Sequence, residues 1–108
     1  MRDFTDDLRE VRRRIDEAKN YLRIDDSRIR LGELEVEVAK PDLWDDQDHA
    51  KKVNAEYSNV KGDIEEFDAL VMSLEDAEVL HDLAREVDDA SQESEIEGGI
   101  RDISLKLD

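Results

Sequence analysis

Apolar residues in this chain recur at alternating intervals of four and three, and that spacing constrains the fold more than any other feature. Phe4, Leu8, Val11, Ile15, Ala18 and Leu22 step by 4, 3, 4, 3 and 4. On an α-helix such steps draw a narrow stripe along one face, the seam of coiled-coil-like packing. Val53, Tyr57, Val60, Ile64, Phe67, Val71 and Leu74 repeat the pattern, and Ile96, Ile100, Ile103 and Leu107 repeat it again. Beyond Leu74 the stripe is read through Ala77, Leu80, Leu83 and Val87, a local change of winding. Ser73-Leu74-Glu75-Asp76 could instead be a capping box that starts a new helix. One continuous helix from near Asp46 to about Val87 is the preferred reading, because it needs no buried break.

The punctuation between the stripes sets the number of helices. Asp25-Asp26-Ser27 interrupts the first, and Asp26 or a neighbour can cap the next helix by accepting its free N–H groups. Residues 29–39 are ambiguous. Ile29, Leu31, Leu34 and Val38 suit a helix, whereas Leu34-Glu35-Val36-Glu37-Val38 alternates with the period of a strand. With no second clear strand to pair with, helix is preferred. Pro41 ends that element, since proline cannot donate the next helical hydrogen bond. Trp44 follows in a turn between two amphipathic helices, where burial against the end of the bundle is expected. Asp88-Asp89-Ala90-Ser91 makes the next turn. Gly98-Gly99 lies inside the last helix and should cost about 1 kcal/mol per glycine relative to alanine. The final stripe reaches the last residues without a capping signal, as in a chain cut within a helix. The expectation is an all-α fold in a single helical domain, residues 1–108. Its form is an elongated antiparallel bundle of three to four helices, coiled-coil-like, with one long central helix.

Composition agrees with narrow seams. Only 38% of the 108 residues are hydrophobic and 5% aromatic, too lean for a sheet sandwich and sufficient for a bundle. The absence of cysteine removes disulfides, thiolate metal sites and a cysteine nucleophile. No run approaches the roughly 18 apolar residues of a membrane span, and the opening residues form no signal peptide, so a cytoplasmic protein without membrane partners is expected. Charge is uneven. Residues 1–54 hold 12 basic and 15 acidic side chains, whereas residues 55–108 hold 4 and 17. Phosphate backbones repel such a surface, so little direct nucleic-acid binding is expected.

Each polar cluster has a functional and an ordinary explanation. Asp42, Asp45, Asp46, Asp48 and His49 could suggest a divalent cation site, but the acids do not alternate around a central glycine. Adjacent acids before a helix more commonly cap it. His49 and His81 lie far apart with no serine or cysteine placed as nucleophile, and both are read as solvated helix residues. Arg9, Arg12, Arg13, Arg14, Arg23, Arg28 and Arg30 are the one basic concentration. Against an RNA-touching face stands pairing within the helix, Glu10–Arg14, Arg12–Asp16 and Arg13–Glu17, each four apart. Trp44 has no aromatic companion for base stacking, and Gly98-Gly99 lacks the strand and Lys-Ser/Thr of a phosphate loop.

Several short segments resemble the start of the bacterial peptide chain release factor 2 family. They are Tyr21-Leu22, Asp25-Asp26, Arg30-Leu31-Gly32-Glu33-Leu34-Glu35 and Pro41-Asp42-Leu43-Trp44-Asp45-Asp46. The Pro-Asp-x-Trp turn at 41–44 is the most specific part. Leu74-Glu75-Asp76-Ala77-Glu78-Val79-Leu80, Leu83-Ala84-Arg85-Glu86 and the acidic break at Asp88-Asp89 extend the similarity over nearly the whole chain. The Gly98-Gly99 pair and β-branched Val36 and Val38 depart from the better helix formers usual in such helices.

The resemblance implies the N-terminal helical domain of a longer translation termination factor that reads the UAA and UGA stop codons. It also implies ribosomal partners near the GTPase-associated centre, and the recycling GTPase release factor. The family reads codons with a Ser-Pro-Phe tripeptide and hydrolyses peptidyl-tRNA through a Gly-Gly-Gln loop. Here Pro41 is the sole proline and Gly98-Gly99 precedes Ile100, so neither motif is present. No catalytic, cofactor-binding or metal-binding residue is therefore expected. The alternative is a stand-alone acidic coiled-coil interaction or oligomerisation protein. Four seams separated by turns weigh against it, because a dimerising coil prefers one unbroken seam.

Overall fold

The computed structural model describes residues 1–108. Four helices form, with no strand: α1 Thr5–Tyr21, α2 Ile24–Val38, α3 Gln47–Glu86 and α4 Glu93–Leu107. Short 3₁₀ turns lie at Leu43–Asp45 and Ala90–Gln92. The all-α expectation holds, and the 40 residues of α3 form one helix of about 60 Å. No helix is long and apolar enough to cross a membrane.

The chain forms two compact units, Met1–Tyr21 with Asp68–Asp108, and Leu22–Phe67. In the first, α1 packs against α4 and the second half of α3. Its core takes Phe4, Leu8, Val11 and Ile15 from α1 and the segment before it, Leu74, Ala77 and Ala84 from α3, and Ile96 and Ile103 from α4. Each large aliphatic buried this way contributes roughly 1.5–3 kcal/mol. In the second unit Leu34 of α2, Leu43 of the 3₁₀ turn, and Ala50 and Val53 of α3 make the buried cluster, flanked by Val38, Tyr57 and Val60. Within α2, Leu34 is buried while Val36 is exposed. Helical period therefore governs this stretch, and the alternation of residues 34–38 is incidental.

Three expectations about burial are corrected. Leu22 is exposed and Ile24 is buried in its place, because α1 ends at Tyr21 and Arg23 turns the chain in the left-handed region at φ 56°. The break thus precedes Asp25-Asp26, and no side chain caps α2. Beyond Leu74 the inward positions are Ala77, His81 and Ala84, while Leu83 and Val87 face solvent. Steps of 3, 4 and 3 continue the seam through a histidine and small alanines. Trp44 is 58% exposed. In a 3₁₀ turn successive side chains point about 120° apart, so once Leu43 enters the core Trp44 points away from it. Trp44 is expected to emit fluorescence as tryptophan does in water, and Trp44→Ala to change stability by about 0.5 kcal/mol or less. A blue-shifted emission maximum would contradict this.

α3 ends in a Schellman closure. Asp89 N–H donates to the Ala84 carbonyl at 2.8 Å and Asp88 N–H to that of Arg85 at 3.2 Å, with Asp88 left-handed at φ 51°. Of the two glycines of α4, a β-carbon on Gly99 would lie 4.0 Å from that of Ala77, and one on Gly98 would meet nothing within 4 Å. Gly98→Ala should accordingly stabilise the protein by about 0.5–1 kcal/mol, by restricting the unfolded chain and favouring the helix. The denaturant midpoint measures it, and an unchanged or lower midpoint would contradict it.

Candidate functional site

The basic concentration near the N-terminus is consumed by the fold's own carboxylates. Arg12 donates through Nη2 and Nε to Glu78 of α3 at 2.5 and 3.2 Å, a two-point contact between helices. That hydrogen bond, opposed in part by desolvation, raises the Arg12 guanidinium above its ordinary range. Arg14 reaches Asp108 at 2.6 Å. Arg13 binds Glu10 and Glu17, Arg9 approaches Asp6 at 3.6 Å, and Arg23 pairs with Asp26. Arg30 clamps Glu56 of α3 with Nε and Nη2, both at 2.7 Å, and its bond holds the Glu56 carboxyl below the usual carboxylate range. Pairing thus accounts for these arginines, as the ordinary reading had it. Of the three pairs expected, Arg13–Glu17 forms. Arg12 and Arg14 turn instead to carboxylates beyond their own helix, which lie within reach on the inner side of α1.

The acidic turn behaves as a cap. Asp46 Oδ1 accepts from the His49 backbone N–H at 3.1 Å, at the start of α3. The His49 ring lies 3.2 Å from Glu37 of α2, and Lys40 binds the same carboxylate at 2.8 Å. Lys40 first and His49 second hold the Glu37 carboxyl low. No group of three or more His, Cys, Asp or Glu side chains gathers in metal-binding geometry.

His81 departs furthest from expectation. It is 3% exposed rather than solvated. Its Nε2 accepts the Phe4 backbone N–H at 3.0 Å. Since that N–H donates, Nε2 is the unprotonated ring nitrogen. The Phe4 ring meets the imidazole edge-on at 5.8 Å between centroids, and the Arg2 guanidinium covers the same ring at 4.5 Å. Asp3 lies beside this corner, accepting from the Thr5 hydroxyl and backbone N–H, which hold its carboxyl low. The histidine's place in the 3–4 rhythm after Leu74 and Ala77 was the signal that could have found it. Next to it a groove of about 290 Å³ is lined by Thr5, Arg9, Arg12, Glu78 and Asp82. Leu8 and His81 complete the lining, and the histidine nitrogen nearest Phe4 is already engaged.

Residues 27–108 match the PCRF domain. Among similar curated proteins, the peptide chain release factor 2 of Nocardia farcinica is 40% identical over 82 residues, covering 76% of this chain and 22% of that protein. That of Proteus mirabilis is 32% identical over 101 residues, 94% of this chain and 28% of the relative. That of an Exiguobacterium species is 29% identical over 106 residues, 98% and 29% respectively. The chain spans about a quarter of the length of the curated relatives it matches.

Proposed function

The chain belongs to the PCRF domain family, and on that premise we propose that it is the N-terminal helical domain of a bacterial translation termination factor, peptide chain release factor 2. The match over residues 27–108, with relatives that are release factors 2, carries the reading. The Pro41-Asp42-Leu43-Trp44 turn supports it from the sequence side. The domain's work is positional. It seats a factor specific for UAA and UGA near the ribosomal GTPase-associated centre and influences its turnover with the recycling GTPase, in the cytoplasm. Its docking surfaces meet protein rather than RNA, because residues 55–108 carry 17 acidic against 4 basic side chains.

This segment supplies no catalytic group on that reading. Peptide release needs a residue within about 3 Å of the attacking water or the ester carbonyl. The His81 nitrogen that meets Phe4 is buried and occupied, and the arginines are spent in ion pairs. The isolated chain is expected to release no peptide from a stop-codon-programmed ribosome above a no-factor control. Release above that control would overturn the reading.

A further inference from the structure

The outer face of α3 carries an apolar stripe that no part of its own unit covers. Met72, Val79 and Leu83, with Val87 just past the helix end, are 57–73% exposed. At about 100° per residue they fall within an arc of about 80°, roughly opposite the inward row of Leu74, Ala77, His81 and Ala84. Exposed Asp76 stands within that arc, and exposed Glu75, Asp82 and Glu86 border it. The cations at this end of α3 are engaged elsewhere, Arg12 with Glu78, Arg85 with Asp3 and the Met1 ammonium with Asp88, and none of these ion pairs includes Asp76.

An apolar row at helical spacing fits the apolar face of another helix. Asp76 decides which kind. Covering it with an uncharged surface would bury an unpaired carboxylate, and covering it with a second copy would bring two acidic rows together. A helix with lysine or arginine beside its apolar face satisfies both elements. We infer that the outer face of α3, Met72, Val79, Leu83 and Val87 around Asp76, docks a cationic amphipathic helix of a protein partner. This docking needs no ribosome, so its failure would leave the termination reading standing.

The test is fluorescence anisotropy of a labelled Leu/Lys amphipathic helical peptide titrated with the whole 108-residue chain, beside a Leu/Glu peptide of the same pattern. Val79→Ser with Leu83→Ser keeps the charge constant and removes only exposed apolar groups, so circular dichroism should be unchanged. This pair is expected to weaken binding by about tenfold or more, and Asp76→Asn by a smaller factor. Leu105→Ser, which removes an exposed leucine from α4, should change it less than about twofold. Equal effects of the α3 and α4 variants would reduce the binding to general charge attraction and overturn the proposal. Equal affinity for the Leu/Glu peptide would also overturn it. So would dimerisation in sedimentation that the same α3 variants abolish, which would assign the face to a second copy.

Discussion

Replacing His81 with alanine is expected to lower the melting temperature by roughly 10–20 °C, the counterpart of about 2–4 kcal/mol in a chain of this size. Two losses combine. A buried ring that packs edge-on against Phe4 disappears, and the Phe4 N–H loses the acceptor it meets at 3.0 Å. A buried donor left unpaired costs about 1–3 kcal/mol by itself. His81→Phe separates the losses, since it restores the volume and leaves the donor orphaned. Its cost should fall at about 1–3 kcal/mol, below that of alanine. Thermal melts of the three proteins decide the matter. An alanine variant within about 0.5 kcal/mol of the parent, the range of ordinary surface changes, would mean that the Phe4–His81 corner does not anchor the fold.

That corner also shows where reading residues by type falls short. The stripe of Phe4, Leu8, Val11, Ile15 and Ala18 was legible because every position is apolar and all of them are buried. The continuation of α3 through Ala77, His81 and Ala84 kept the same rhythm, but a histidine and two small residues do not stand out beside Leu83 and Val87. Those larger hydrophobic residues lie on the solvent face. The helix breaks show a related limit. The left-handed turns fall on Arg23 and Asp88 rather than on glycine, so the α1–α2 break carries no glycine signal and lies ahead of the aspartates that mark it in the sequence. A place in the turn between two amphipathic helices points to burial of Trp44, but its neighbour Leu43 takes the inward position. That acids in the turn before α3 cap it, and that α3 is one long helix, is legible because both depend on local rules. The partners of Arg12 and Arg14 are not, because Glu78 and Asp108 are distant in sequence.

The second large effect concerns release itself. If this chain is the positioning domain of a termination factor, its removal should act on seating and leave the chemistry intact. Interactions that hold a catalyst in place without touching the reacting atoms govern the concentration needed for activity, whereas the rate at saturation depends on groups at the ester. The half-saturating concentration of a factor lacking this domain should rise by about tenfold or more, the equivalent of about 1.4 kcal/mol of lost docking. Its hydrolysis rate at saturation should persist. On the same proposal the acidic second half, with 17 acidic and 4 basic side chains, would face basic protein, since such a surface is repelled by RNA.

The most direct measurement is single-turnover peptide release from stop-codon-programmed ribosomes, with the Proteus mirabilis relative in three forms. These are the whole protein, the protein without the segment that aligns to this chain, and the protein with that segment replaced by this chain. The account predicts hydrolysis by all three at saturation, a raised half-saturating concentration for the truncated form, and its restoration in the chimera. Complete loss of release at saturation in a truncated form shown to be folded would contradict it, as would a chimera no better than the truncation.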